Sequence, residues 1–243
     1  MKAQRRAIAI AEDIADADVL TGTVEDYLKA IYSLSAGGAA VATNDIAGRL
    51  AVAPASVSGM VRRLAEQGLL TYEPYRGVRL TDSGRRAALR TLRRHRVIES
   101  YLSTALHYPW DRVHEEAERL EHAASDELVD RMAAAIGEPV TDPHGAPIPT
   151  REGEMDETEY FSLAELAAGY GVRVMRVSDA DPELLRYLGE LSITPGAEVL
   201  IVSKAPFGGP ISLRIGREIL SIGPELAAQV MVQPLVDLDA PAH

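Results

Sequence analysis

The sequence changes its hydrophobic periodicity across a segment rich in Pro and Gly, between Gly137 and Asp156. Before this segment, apolar residues recur every three to four positions, which is typical of amphipathic helices. After it, short runs rich in Val and Ile are separated by Pro-Gly, Gly-Gly and single Gly or Pro turns, which predicts short strands. Because the two patterns favour different packing layers, we expect a helical part followed by a small all-β barrel of about 75 residues.

The N-terminal third of the chain has the pattern of a winged helix-turn-helix. Residues 24–34 carry apolar side chains at helical spacing, and Thr43 or Asn44 is a suitable N-cap for a second helix. Pro54 stands where a third helix would begin, which is a favoured position for proline. Residues 70–81 are β-prone on both sides of an Arg-Gly pair, which predicts a two-stranded wing.

Three further helices are predicted. An Arg-rich helix covers about 83–106, and a second long helix, capped by Asp111, covers about 112–136. A shorter helix at about 181–190 interrupts the β runs. Apolar stripes on the two long helices exceed what a winged helix needs for its own core. They could serve packing within the chain alone, but we expect a homodimer interface there.

Charge is unevenly distributed along the chain. Residues 43–96 hold eleven Arg or Lys and four Asp or Glu, a local charge of +7, whereas the remaining residues sum to −18. A basic segment in an otherwise acidic protein can bind a polyanion. The absence of cysteine excludes disulfides and thiolate metal sites. Acidic residues interrupt the N-terminal apolar run and no long apolar segment follows, so we expect a cytoplasmic protein with no membrane partner.

The second helix of a helix-turn-helix lies in the major groove of DNA, with its first residues facing the bases. The residues at these first positions are Ala55, Ser56, Ser58 and Gly59, and Arg62 and Arg63 follow a turn further along the helix. The residues suited to phosphate contacts are Arg49, Tyr75, Arg76 and Arg79. A winged helix can also serve as a protein-interaction module, but the local charge favours double-stranded operator DNA as the partner.

Histidines and glutamates cluster on the two long helices. His114, Glu118, Glu121 and His122 project from one side of a helix, and His95 and Glu99, four residues apart, share a face of the preceding one. Antiparallel helices can bring such sets together around a metal ion. The cluster could also be a solvated acidic face, but clustered carboxylates repel one another, and a divalent cation would compensate their charge.

The sequence resembles the diphtheria toxin repressor family of metal-dependent repressors from about Thr21 to Leu235. The matching stretches are TVEDYLKAIY, PASVSGMVRRL, YRGVRLTDSG, RRHRVIESYL, VHEEAERLEHAASDE and DPHGAPIP. The stretch LGELSITPGAEVLIVSKAPFGGPISLRIG is similar to the SH3-like domain of ferrous iron transport protein A. The resemblance implies a dimeric, metal-activated transcriptional repressor rather than an enzyme.

The fold implied is mainly α with a small β domain. The expected domains are a flexible tail over 1–20, a winged helix-turn-helix DNA-binding domain over 21–82, a helical metal-binding and dimerisation domain over 83–140, a linker over 141–160 and an SH3-like domain over 161–236.

The resemblance also implies a main metal site. Its ligands would be Asp26, Glu118, Glu121 and His122. Iron-type members have Met and Cys at the first two of these positions, whereas both are carboxylates here, as in the manganese transport regulator branch. Oxygen ligands suit the hard Mn²⁺ ion.

A second metal site is implied at His95, Glu99 and His114. In some manganese-type members, the DPH segment and an acid of the β domain supply that site instead. Asp142 and His144 are then candidates, with Asp181 as a further one, although His144 could equally be a surface residue of a Pro/Gly turn. Some two-domain members have Glu three residues after the first Asp of the main site. Lys29 stands there in this chain, so two separated sites are expected rather than a binuclear centre.

These features predict a Mn²⁺-dependent repressor of metal-uptake genes, with Fe²⁺ as the alternative effector and other divalent transition metals binding in vitro. A cation held by Asp26 and by Glu118, about 90 residues further on, would select one spacing of two recognition helices. Two other functions stay open. One is a winged-helix regulator that senses an organic ligand or needs no metal, and the other is a metallohydrolase, which would need a substrate cleft and a general base.

Overall fold

The computed structural model describes residues 20–35, 38–73 and 76–235. The chain divides into an N-terminal unit that ends at Thr91 and a C-terminal unit that begins at Leu92. The described helices are α1 Gly22–Leu34, α2 Thr43–Leu50, α3 Pro54–Glu66, α4 Asp82–Leu106, α5 Val113–Leu120, α6 Asp126–Ala135, α7 Pro182–Glu190 and α8 Pro224–Ala227. The strands are β1 Leu70–Glu73, β2 Gly77–Leu80, β3 Phe161–Ser162, β4 Gly171–Val177, β5 Glu198–Lys204, β6 Ile211–Ile215, β7 Glu218–Ile222 and β8 Val230–Pro234. Within these ranges no helix is long and apolar enough to cross a membrane.

The N-terminal unit is a three-helix core with a two-stranded wing, which confirms the predicted winged helix-turn-helix. Pro54 occupies the first turn of α3, as predicted. The predicted cap of α2 is wrong, because the helix begins at Thr43 and Ala42 holds the cap position without a side-chain hydrogen bond. The core consists of buried aliphatic side chains from all three helices and the wing, including Leu28, Ile31, Ile46, Val57, Val61, Leu64 and Val78.

The wing is joined to the rest of its unit through its second strand. Strands β1 and β2 pair antiparallel, and Val78 also forms a β-bridge with Val41. Gly77 has a φ of +97°, and a Cβ atom there would lie 2.6 Å from the carbonyl oxygen of Val41. Only glycine satisfies both conditions, so this residue fixes where the wing turns.

The predicted long helix over 112–136 is wrong, because the structure has two shorter helices, α5 and α6. The chain turns between them, and the hydroxyl of Ser125 accepts a hydrogen bond from the backbone N–H of Leu128, at 3.2 Å, at the start of α6. Asp111 does not cap α5, since Arg112 holds that position. The Asp111 carboxylate lies instead 3.3 Å from the guanidinium of Arg186.

The β domain is a single antiparallel sheet in the order β3-β8-β4-β5-β6-β7. The prediction of a small β domain is confirmed, but the expected closed barrel is not, because β3 and β7 end an open sheet. Its core contains Val172, Val174, Ile201 and Leu213, with Leu185 and Leu188 from α7. Trp110, from the connection between α4 and α5, packs against the same core.

Candidate metal centre and DNA-binding surface

The buried polar cluster of the C-terminal unit begins on α4. His95 and Glu99 lie one helical turn apart and face inward, with 3% and 0% of their surface exposed. His114, near the start of α5, completes a three-residue contact. Its Nδ1 atom lies 3.1 Å from Glu99 Oε1, and His95 Nε2 lies 3.0 Å from the same oxygen. The predicted convergence of the two helices is therefore present in this unit.

The DPH segment enters this cluster through a tight turn. Asp142 Oδ1 accepts hydrogen bonds from the backbone N–H groups of His144, at 2.8 Å, and Ala146, at 2.9 Å. Gly145 has a φ of +85°, and a Cβ atom there would lie 2.0 Å from the carbonyl oxygen of Met175 in β4. This contact needs glycine, and it holds the turn against the β domain.

His144 is fully buried, so its interpretation as a surface residue is wrong. Its Nε2 atom lies 2.7 Å from the carbonyl oxygen of Trp110. A carbonyl oxygen can only accept, so Nε2 carries the proton, and in the neutral ring Nδ1 has a lone pair. A backbone carbonyl that fixes the tautomer in this way is typical of histidines that bind metal ions.

Three buried atoms of this cluster have no hydrogen-bond partner within the described part of the chain. These atoms, which could each bind a metal ion, are Glu99 Oε2, Asp142 Oδ2 and His144 Nδ1. Orphaned buried polar atoms are costly, so such a group calls for an explanation. Each of the three residues has a ligand atom within 4.8 Å of those of the other two. Ligands of one octahedral cation, at roughly 2.1–2.4 Å from it, lie at most about 4.8 Å apart, so the arrangement fits a divalent cation.

The charges of the cluster are unevenly balanced. Burial alone would raise the pKa of the Glu99 carboxyl, but hydrogen bonds with His114 and His95 outweigh burial and hold that pKa well below its ordinary value. Burial and the nearby Glu99 charge raise the pKa of Asp142 to about 6, although Arg96 opposes the shift from 3.6 Å away. Two carboxylates therefore lie in one buried site beside the guanidinium of Arg96, and a divalent cation would add positive charge there.

The other predicted metal ligands lie as follows. Glu121 is fully buried just after α5, and its Oε1 atom is 3.4 Å from Nε2 of the neighbouring His122. Glu118 Oε1 lies 3.8 Å from His95 Nδ1 and 3.8 Å from His114 Nε2. Asp26, in the N-terminal unit, is half-buried on α1.

One acidic residue of the cluster was missed by the sequence reasoning. Asp179, just after β4, has Oδ2 at 3.7 Å from His114 Nδ1, and it forms a possible ligand set with Glu99 and His114. Asp181 was the candidate from this region, but its side chain caps α7 by accepting the N–H of Glu183 at 2.8 Å. The Asp-Pro pair at the helix start signals that cap, whereas no local pattern selects Asp179.

The predicted DNA-contacting residues lie on the surface of the N-terminal unit. Except for half-buried Ser58, the described ones are exposed: Arg49, Ala55, Ser56, Gly59, Arg62, Arg63, Arg76 and Arg79. Ser58 donates to the carbonyl of Pro54 at 3.1 Å, and Arg79 donates to the carbonyl of Gly38. Tyr75 lies outside the described residues.

Comparison with known families covers most of the chain. Residues 19–78 match the N-terminal DNA-binding domain of iron-dependent repressors, and residues 81–150 match their metal-binding and dimerisation domain. Residues 161–234 match the FeoA domain. The iron-dependent repressor IdeR of Mycobacterium tuberculosis is 33% identical over 226 residues, which cover 88% of this chain and 98% of that protein.

The chain belongs to the iron-dependent repressor family. This family consists of transcriptional repressors and not of enzymes, which confirms the expectation from the sequence. The family also includes manganese-dependent members. A manganese-dependent transcriptional repressor solved in complex with manganese is 39% identical, with a TM-score of 0.81, over 87% of this chain and all of that one. The transcriptional regulator MntR of Lysinibacillus sphaericus is 36% identical over 116 residues, which are 48% of this chain and 83% of MntR.

Proposed function

We propose that this protein is a manganese-activated transcriptional repressor of metal-uptake genes. In this proposal, Mn²⁺ binds a main site made of Asp26, Glu118, Glu121 and His122 and a second site around Glu99. The bound form is the one that recognises operator DNA. The observation that carries the proposal is the group formed by Glu99, Asp142 and His144. These residues are buried, each has an atom without a hydrogen-bond partner in the described part of the chain, and each has a ligand atom within 4.8 Å of those of the other two.

The chemical type of the candidate ligands supports manganese as the bound metal. Carboxylate and imidazole ligands suit Mn²⁺, whereas softer ions favour the sulfur of Cys and Met. The chain has no cysteine, and the candidate ligands are all carboxylates or imidazoles. The similarity to a repressor solved with manganese points the same way.

The second site is proposed at Glu99, Asp142 and His144, with His114 and Asp179 within reach. When bound, the cation would neutralise the two buried carboxylates. Asp142 already uses Oδ1 for two backbone hydrogen bonds, so Oδ2 is the atom that it can offer. The resemblance places Asp26 with Glu121 and His122 in the main site, and we retain that assignment as part of the proposal.

The DNA contacts and the dimer complete the proposal. The exposed N-terminal half of α3 would enter the major groove, and the wing arginines would contact phosphates. Leu106, Leu120 and Leu128, at 56%, 39% and 45% exposure, offer apolar surface on three helices for a homodimer. A dimer would place two recognition helices on two half-sites one helical turn apart.

Iron is the second candidate effector, and the relatives named iron-dependent repressors favour it. Both ions bind imidazole and carboxylate ligands, so the discriminating measurement is a titration of operator binding. Fluorescence anisotropy of labelled upstream DNA would be recorded with chelator-treated protein and Mn²⁺, anaerobic Fe²⁺ or Zn²⁺. We expect Mn²⁺ to activate operator binding at a free-metal concentration that is physiological for manganese. Activation by Fe²⁺ alone would replace Mn²⁺ with Fe²⁺ in the proposal.

Substitution of Asp26 tests the main site. Asp26→Asn should abolish the response of operator binding to Mn²⁺, which we expect to be about 5- to 150-fold in wild type. Asp45→Asn, an exposed carboxylate on α2 of the same unit, is the matched control and should keep the response. An Asp26→Asn protein with the full manganese response would overturn the assignment of this residue.

A further inference from the structure

The helix-turn-helix contains two glycines that its fold does not require, Gly48 on α2 and Gly59 on α3. Neither has a φ in the left-handed region, and a Cβ atom at either would meet nothing within 4 Å beyond its own turn of helix, in the described part of the chain. Glycine is the least favourable residue of a helix interior other than proline, because it loses the most conformational freedom on folding. Alanine would therefore fit at both positions and stabilise the helix.

Gly59 lies on the outermost line of α3. The buried residues of this helix are Val57, Val61 and Leu64. At roughly 100° per residue, they lie about 140–200° around the helix axis from Gly59. Gly59 is exposed and so faces directly away from the core of its unit. Gly48 is exposed as well, but it lies on the first helix of the motif, which crosses the DNA backbone rather than entering the groove.

The N-terminal half of α3 presents only short side chains beside Gly59. Ala55 and Ser56 are exposed one turn before it. The hydroxyl of Ser58 donates to the carbonyl of Pro54 at 3.1 Å, so its proton is used within the helix. Because this half of the helix, which the structure describes in full, places no long side chain on the exposed face, its main chain can approach a ligand most closely at Gly59.

The surface at Gly59 is apolar, although it is formed by backbone. The residue lies inside α3, where the N–H and C=O groups are used in hydrogen bonds along the helix. Polar atoms on the groove edges of guanine, adenine and cytosine would lose water against such a surface without gaining a hydrogen bond. The C5-methyl group of thymine has no hydrogen bond to lose. This surface therefore favours thymine over the other bases.

Resting on the proposed role of α3 as the recognition helix, we propose that Gly59 determines operator specificity through the side chain that it lacks. Its Cα atom packs against the methyl group of one thymine in each half-site, at a distance that any side chain would prevent. Close approach of the backbone to a ligand is a general use of glycine. The helix stability that glycine sacrifices here is offset by recognition of DNA.

A double-mutant cycle between protein and DNA tests the proposal. Full-length, Mn²⁺-loaded wild type first selects duplexes from a random library. Thymines common to the selected half-sites are then replaced one at a time by uracil, which lacks only the methyl group. Affinities for these duplexes are measured by fluorescence anisotropy for wild type, for Gly59→Ala and for the matched control Gly48→Ala. Thermal unfolding checks that both variants fold.

We expect both alanine variants to raise Tm by about 1–4 °C, because each favours the helix. Only Gly59→Ala should lose affinity for the selected duplex, by about 5- to 150-fold, the usual cost of one mismatched base pair. At one thymine of each half-site, uracil should weaken binding by wild type and Gly48→Ala about fourfold, the value of one buried methyl-sized group. The same uracil should strengthen binding by Gly59→Ala, because the methyl group that meets the new Cβ is gone.

Wild-type affinity of Gly59→Ala for the selected duplex would overturn the proposal. So would a loss of affinity that Gly48→Ala shares, or one that is equal with thymine and uracil at every position. Failure of the repressor function gives a different result. Mn²⁺-loaded wild type that selects no sequence would refute that function, whereas a selected motif indifferent to Gly59 would refute only the role of this glycine.

Discussion

Replacement of Asp142 with Asn should make the metal-free protein more stable. Burial, followed by the charge of Glu99, raises the pKa of this carboxyl from 3.8 to about 6 in the folded state. Between these two pH values the folded state binds more protons than the unfolded state, so stability falls as pH rises through this window. Above pH 6 the folded protein carries the full cost of the buried charge, and below pH 4 it carries none.

The expected gain follows from the shift in pKa. A rise of about two units in the pKa corresponds to a gain of at most roughly 3 kcal/mol. The amide of Asn can still accept the two backbone hydrogen bonds that Asp142 Oδ1 accepts. For a protein of this size, a gain of roughly 3 kcal/mol raises Tm by about 6–12 °C.

The assay is thermal unfolding in chelator at a series of pH values from 4 to 8. The Tm difference between Asp142→Asn and wild type should be small at pH 4 and reach its plateau above pH 6. With saturating Mn²⁺ the order should reverse, because wild type alone keeps the complete second site. Glu152→Gln, which neutralises an exposed carboxylate, should stay within about 0.5 kcal/mol of wild type. A metal-free Asp142→Asn protein less stable than wild type at pH 8 would refute the reasoning.

Three more predictions concern the fold and the DNA surface. Ser125→Ala should lower the free energy of unfolding in urea by about 1 kcal/mol, because α6 loses its cap; an unchanged value would contradict that role. Gly145→Ala should cost about 2 kcal/mol or more and weaken second-site Mn²⁺ binding, since the new Cβ would meet Met175 at a positive φ; calorimetric titration with wild-type affinity would argue against it. Arg62→Ala should reduce the slope of log binding constant against log salt concentration by about one, the value for one lost phosphate contact, whereas Arg217→Ala should not change it. Equal slopes for the two variants would show that Arg62 does not contact the DNA.

The sequence predicted the elements whose pattern is local. The α1 helix was predicted close to its observed bounds, and the short strands of the β domain were expected from the runs rich in Val and Ile, because apolar periodicity and turn residues are contained within each segment. The break between α5 and α6 was missed, since the apolar spacing continues through it and neither Pro nor Gly marks it. Strand β3 was also missed, because two residues carry no pattern of their own.

The sequence predicted only part of the candidate metal centre. The spacing of His95, Glu99 and His114 predicted that they would meet, because helices repeat every 3.6 residues. The burial of His144 and the approach of Asp179 depend on contacts between segments distant in the chain. The carbonyl of Trp110, for example, fixes the tautomer of His144 from 34 residues away. Tertiary packing determines such placements, and no local sequence pattern predicts them.

The claim that this chain holds manganese at a carboxylate and imidazole centre is tested most directly by anomalous X-ray diffraction. Data would be collected above and below the manganese absorption edge on crystals grown with Mn²⁺. The account predicts an anomalous peak between Glu99, Asp142 and His144 and a second one beside Glu121 and His122. Crystals of active, manganese-loaded protein with no peak at either position would contradict it.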